Sequence, residues 1–312
     1  MNTQSRWAAA LLFLLPIGLF PIGPGWAADP PPPITPLDAI EKQWARSPHA
    51  GSTDTVEERA LMNREACAPC HTAQGYWEVI LDGRRSSAPY ENPAGLTCIA
   101  CHLPAEGAAP QPGLRAGSPE QACAGCHDLT RQGDAEGSSA CTQGSVLLGA
   151  GLPGRTPDER AGGHSRVPRG CVGCHMARPP ADVDDPPVGG HTFRVASNGA
   201  GPRILNAYAC RCCHALMNDE IVRASQERVR ALLAELAALL PKASKGQGGS
   251  PQSEPVSPGD PSLTPAQSRA ASAYYMVLRD GTYGAHDPAY ARGILEEAIA
   301  GLKAAQAAPR TN

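Results

Sequence analysis

The sequence predicts a mainly α fold, loop-rich in its N-terminal part and closed by a helical hairpin at the C-terminus. Three observations predict it. Between residues 218 and 240, apolar side chains fall at Val222, Val229, Leu232, Leu233, Leu236, Leu239 and Leu240, the spacing of one helix face, and Pro241 follows. Thr264-Pro265 and Asp287-Pro288 each set a capping side chain before a proline at the first helical position. From Leu37 to Pro202 no stretch alternates apolar and polar residues convincingly enough for a strand.

Taken in order, the chain opens with Arg6, an apolar run from Trp7 to Phe20, and small residues ending Gly25-Trp26-Ala27-Ala28. Residues 1–27 therefore read as a signal peptide. The run is broken by Pro16 and Pro21 and is short for a membrane span, so a periplasmic or secreted mature chain without a span is expected. Residues 29–36 form a proline-rich leader.

Residues 28–215 carry one pattern five times: Cys67-Ala-Pro-Cys70-His71, Cys98-Ile-Ala-Cys101-His102, Cys123-Ala-Gly-Cys126-His127, Cys171-Val-Gly-Cys174-His175 and Cys210-Arg-Cys-Cys213-His214. C-x-x-C-H is the attachment signature of c-type haem. Two thiols one turn apart add across the two porphyrin vinyl groups, and the adjacent imidazole binds the iron from one face. A single C-x-x-C pair also suits a redox dithiol or half a zinc site. Five copies, each followed by histidine, favour five covalently attached haem c groups, and the fold class becomes a haem-packed multihaem cytochrome c.

Composition agrees. Aromatic residues make up 4% of the chain, and glycine and proline number 33 and 32 of 312 residues, too little apolar bulk for an ordinary core. Five porphyrins supply the missing bulk, and folding is then linked to their attachment. Only four lysines stand among 27 basic residues: Lys42, Lys242, Lys245 and Lys303. The arginine excess suits haem propionates, since a guanidinium fork matches a carboxylate, and it equally suits a GC-rich genome. The net charge of −3 gives no indication of nucleic acid as a partner.

Residues 216–312 change texture. The 218–240 helix leads into a Gly, Ser and Pro-rich stretch, residues 243–263, that reads as a flexible linker. The second helix runs from the Thr264 cap to about Gly281, and the last from Asp287-Pro288 to about Ala305. This C-terminal part is expected to pack on the haem body.

Five bis-histidine haems need ten imidazoles, and the chain has nine histidines. Beyond the boxes stand His49, His164, His191 and His286, the candidate second ligands. His164 and His191 follow paired glycines that let the backbone approach a flat macrocycle, and His286 precedes a capped helix start. For the remaining iron face the alternatives are an open or water-bound site, a thioether from Met62, Met217 or Met276, or a histidine from another copy in a homo-oligomer. Cys141 and Cys212 stand outside the boxes, either as a disulfide or as free thiols.

Three short stretches resemble one group of proteins. Trp44-Ala-Arg-Ser47-Pro-His49-Ala is similar to the W-x-x-S-x-H-A element before the first box of many multihaem cytochromes. Cys171 to Met176, followed by His191 and Phe193, resembles the penultimate haem segment of the superfamily of pentahaem nitrite reductases, octahaem hydroxylamine oxidoreductases and tetrathionate reductases. Asp280-Gly-Thr-Tyr-Gly-Ala-His286-Asp-Pro-Ala-Tyr resembles that group's D-G-S-x-G-x-H-N-P-x-Y. The resemblance implies distal ligation by His49, His191 and His286, with His191 serving a neighbouring haem. It also places an open iron, if there is one, at the first box. The C-x-x-C-K box of the nitrite reductases is absent from this sequence.

The expected function is electron transfer along mostly bis-histidine haems, with membrane quinol-linked or periplasmic cytochromes as redox partners, because saturated iron passes electrons without binding substrate. The alternatives are a small reductase of nitrite, hydroxylamine or a sulfur oxyanion at the haem short of a histidine, and a subunit of an extracellular cytochrome assembly.

Overall fold

Helices of two lengths make up the regular structure. The computed structural model describes residues 36–50, 55–103, 113–128, 141–152, 162–178, 187–197, 202–243 and 254–307. The stretch read as a signal peptide and most of the proline-rich leader lie outside them. Among the described residues there is no strand, only the isolated bridges His102 to Leu114, Ala196 to Leu205 and Lys242 to Pro255.

The N-terminal part consists of short helices: α1 Leu37–Ala45, α2 Val56–Met62, α3 Ala68–His71, α4 Ala73–Gly75, α5 Cys98–Cys101, α6 Pro119–His127, α7 Gln143–Leu147, α8 Gly170–His175 and α9 Tyr208–Arg211. Pieces this short are unstable alone and depend on tertiary support. Caps supply some of it. Thr55 and Glu58 form a reciprocal capping box on α2, and the buried Thr72 hydroxyl accepts from Gly75 N at 3.0 Å while donating to Ala68 O at 3.0 Å.

After α4 the backbone widens into a π-helix, Tyr76–Leu81, a form frequent at functional sites. Its side chains tie the first box to the next two. The Tyr76 hydroxyl donates to Ala122 O at 3.3 Å, one residue before Cys123, and Trp77 Nε1 donates to Ala100 O at 3.2 Å, inside the second box. Gly125, inside the third box, lies against Ile80 so closely that a Cβ would stand 2.1 Å from its Cγ2. A small residue in that box is therefore a packing requirement.

The C-terminal part is built from α10 Asp219–Leu239, α11 Pro265–Asp280 and α12 Pro288–Ala307. Each starts at a cap: Asn218 accepts from Ile221 N, Thr264 and Gln267 form a capping box, and Asp287 accepts from Ala289 N and Tyr290 N. Gly281 ends α11 in the left-handed region at φ 71°, which glycine adopts without cost. The expected helical hairpin is present as α11 against α12, and α10 packs on both, because its stripe of Val229, Leu233 and Leu236 turns toward them. Their buried partners include Val277, Leu295 and Ile299, and Val146 of α7 joins the same core.

Within the stretch read as a linker, residues 254–263 lie along this core. Tyr275 Oη donates to Pro255 O at 2.5 Å, Ser268 Oγ to Pro258 O at 2.7 Å, and Val256 N to Pro241 O at 2.9 Å. Residues 244–253 are outside the described set. Because the Thr264 cap governs the start of α11, Thr264→Ala should lower the unfolding free energy by about 1 kcal/mol, read from the denaturant midpoint of the holoprotein. An unchanged midpoint would show that the cap contributes nothing.

Candidate haem centres

Each box closes on a short helix that sets its two cysteines one turn apart. Cys70 and His71 end α3, Cys98 and Cys101 bound α5 with His102 just after it, Cys123 to His127 end α6, Cys171 to His175 fill α8, and Cys210 lies on α9 with Cys213 and His214 just beyond. The helical turn follows from hydrogen bonds between the box ends, such as His71 N to Cys67 O at 3.1 Å, His102 N to Cys98 O at 2.8 Å and His214 N to Cys210 O at 2.8 Å.

All nine histidines are described, and eight of them come together in four pairs. Ring centres are 6.1 Å apart for His49 and His127, 6.2 Å for His102 and His191, 6.0 Å for His175 and His286, and 5.9 Å for His164 and His214. Metal–imidazole bonds of about 2 Å on opposite faces of one ion place the ring centres roughly 6.3 Å apart, so this spacing fits an iron between each pair. Every pair joins one box histidine to one histidine outside the boxes, and His191 stands opposite His102 rather than His175 of its own segment. Among the described residues no ring lies against His71.

The imidazoles are also held in a ligating form. His175 Nδ1 faces Phe193 O at 2.8 Å, His164 Nδ1 faces the carbonyls of Ala285 and His286 at 3.0 Å each, and His286 Nδ1 meets the Asp280 carboxylate. A ring that donates from Nδ1 keeps the Nε2 lone pair for a metal. Burial lowers the pKa of His71, His127, His175 and His191, and His49 falls to about 4 through burial and then the neighbouring His127 and His175. These rings are thus neutral at pH 7, the protonation state that metal binding needs.

The boxes stand close together. The Cys126 Sγ of the third box lies 3.8 Å from Pro69 O in the first, α6 packs on α3 and on α8, and α8 packs on α9. Cys174 is pushed up to about 11 by burial and then by Cys210 and Cys212 nearby. The first box therefore touches the third, the third the fourth, and the fourth lies near the fifth.

Apolar surface at the boxes fits a macrocycle as well. Ile99 and Leu103 at the second box, and Ile204, Tyr208 and Leu216 around the fifth, are exposed, Leu216 to 85%. Large apolar side chains clustered in this way await a covering surface. Beside the second box a cleft of about 420 Å³ is lined by Trp77, Leu103 and Arg115, with the Arg115 guanidinium 4.6 Å from the Trp77 ring centre. Among the described residues no three His, Cys, Asp or Glu donors converge on a bare metal ion.

Other sequence candidates fall elsewhere. Met276 is buried in the C-terminal core, where the Tyr290 hydroxyl reaches its sulfur at 3.7 Å. Cys141 has Cys70 and Cys126 for neighbours, whereas Cys212 lies 3.7 Å from Cys213, and both are free thiols. Three supporting residues had no role in the sequence reading: Gln43, whose Oε1 accepts from His191 N at 3.0 Å; Asp280; and the Phe193 carbonyl. Phe193 occupies the left-handed region at φ 54°, with its ring 4.8 Å from His49 and 5.8 Å from His191. It therefore touches three of the four histidine pairs.

The described architecture is that of a helical multihaem cytochrome c fold. The outer cell wall cytochrome OcwA shares it: its crystal structure aligns at a TM-score of 0.52 and 21% identity, over 83% of this chain and 49% of that one. The chain thus spans about half the length of OcwA. No protein-family model and no curated protein matches the sequence.

Proposed function

We propose that the chain is a periplasmic or extracellular electron carrier holding five haem c groups through Cys67 and Cys70, Cys98 and Cys101, Cys123 and Cys126, Cys171 and Cys174, and Cys210 and Cys213. Haem c supplies one-electron Fe(III)/Fe(II) chemistry when bound. The observation that carries the reading is the contact between boxes: attachment sites this close hold neighbouring macrocycles within hopping range. The chain itself supplies proximal imidazoles from His71, His102, His127, His175 and His214, and distal ones from His127's partner His49, His102's partner His191, His175's partner His286 and His214's partner His164. With both faces closed, these four sites favour electron passage over substrate binding. The fold shared with a cell wall cytochrome supports a setting outside the cytoplasm, and no helix among the described residues is long and apolar enough to cross a membrane.

The expected mature product shows five haem additions by intact-mass spectrometry, and its reduced form gives up its electrons to a small redox protein such as a monohaem cytochrome. Fewer additions, or no electron exchange, would overturn the reading.

A second reading rests on His71. Its ring has no counterpart among the described residues, which leaves one iron face for a nitrogen or sulfur oxyanion or hydroxylamine. The resemblance to nitrite and hydroxylamine enzymes supports this reductase, and the other four sites then deliver electrons to the first.

A further inference from the structure

Two of the paired sites differ in what holds the second ring nitrogen. His175 and His164 face backbone carbonyls, which are neutral acceptors. His286 faces a carboxylate: its Nδ1 meets Asp280 Oδ1, and the Asp280 side chain is fully buried, with no exposed surface. The other oxygen, Oδ2, accepts from Thr282 N and Thr282 Oγ1. Among the described residues no lysine or arginine pairs with Asp280. A buried carboxylate is costly unless it is hydrogen-bonded, and here the His286 ring and the two Thr282 donors supply those bonds.

Resting on the haem-ligand reading above, we propose that Asp280 is a positioning residue that makes His286 a more basic distal ligand than the carbonyl-held His164 and lowers the potential of the fourth-box iron. The physics has two parts. A carboxylate that accepts from Nδ1–H draws the proton toward itself, enriches the imidazole in electron density and strengthens its bond to Fe(III). Its buried negative charge also favours the more positive oxidation state of the adjacent iron. One electron entering the site reduces Fe(III) to Fe(II), and the proton stays between Nδ1 and Asp280 throughout. The Thr282 donors restrain the effect by sharing the carboxylate's charge.

The test uses the full mature holoprotein in a redox titration followed by electron paramagnetic resonance and visible spectra. His286→Met first identifies the centre, since it removes one bis-imidazole signal. Asp280→Asn keeps the shape and removes the charge; it should make that one centre at least ten times easier to reduce, about 59 mV for a one-electron couple, with the other centres unmoved. Thr282→Val frees the carboxylate and should move the same centre in the opposite direction. A merely structural role would move both variants alike or neither. Should Asp280→Asn fail to accumulate, the Thr282→Val shift decides, and its absence overturns the proposal. If His286→Met removes no signal, the ligand reading falls and this inference with it. If it removes one while Asp280→Asn moves nothing, only the inference falls.

Discussion

Oxidised holoprotein should show one high-spin ferric centre among five, and cyanide should convert that centre to low spin while leaving the other four unchanged. The expectation follows from ligand counting joined to geometry. Nine histidines serve ten iron faces, all nine are described, and eight of them stand in pairs 5.9–6.2 Å between ring centres. His71 is the ninth. Of the three methionines considered as substitutes, Met276 is committed to the C-terminal core. The remaining ways to fill the face separate on dilution. A high-spin signal that grows as the protein is diluted points to a ligand donated by a second copy. A fifth low-spin signal that persists at all concentrations, unaffected by cyanide, would remove the open site and the reductase reading together. His49→Ala provides the converse: by opening the site opposite His127, it should create a second high-spin centre.

The second large effect concerns the chain without haem. Synthesised where no haem is attached, the full chain should keep α10, α11 and α12 and lose stable structure from residue 36 to about 215. The reason is the distribution of buried apolar side chains. The C-terminal cluster holds leucines, isoleucines and valines such as Leu233, Leu236, Val277, Ile294 and Leu295. Outside it, among the described residues, the buried apolar ones are Ala68, Ala73, Ala100, Ala116, Ala209, Tyr76 and Val188. Burying a leucine-sized side chain contributes about 1.5–3 kcal/mol, and alanine far less. Helices of 3–9 residues cannot be sustained by so little. Limited proteolysis should therefore leave a resistant fragment beginning near Asn218, with far-UV circular dichroism retaining the signal of three long helices. Protection of the N-terminal part in the haem-free chain would contradict this account.

The long helices were legible because their signals are local. The Thr264 and Asp287 caps, the leucine stripe of α10, Pro241 and Gly281 mark their ends within a residue or two of where they lie, whereas the Asn218 cap was not read from the sequence. The five boxes were legible for the same reason: the chemistry requires its residues at fixed spacing. Which imidazoles face each other was a different matter, because His49 and His127, or His175 and His286, meet through tertiary packing that no short pattern encodes. Histidine counting singled out four imidazoles beyond the boxes but could not say which box histidine each one faces. Gln43 escaped, and Phe193 and Asp280 stood in the quoted stretches without a role, because each meets a histidine through a single carbonyl, amide or carboxylate oxygen. What α10 packs against was also not legible, since periodicity reveals an apolar face without saying what it meets.

One arrangement bears on how such a molecule is made. His286 lies 111 positions beyond His175, and the carbonyls that hold His164 belong to Ala285 and His286. On the reading proposed above, export amino end first would expose the fourth and fifth boxes before residues 280–307 follow, and a chain ending ahead of residue 280 would keep all five boxes while losing His286 and the carbonyls that hold His164.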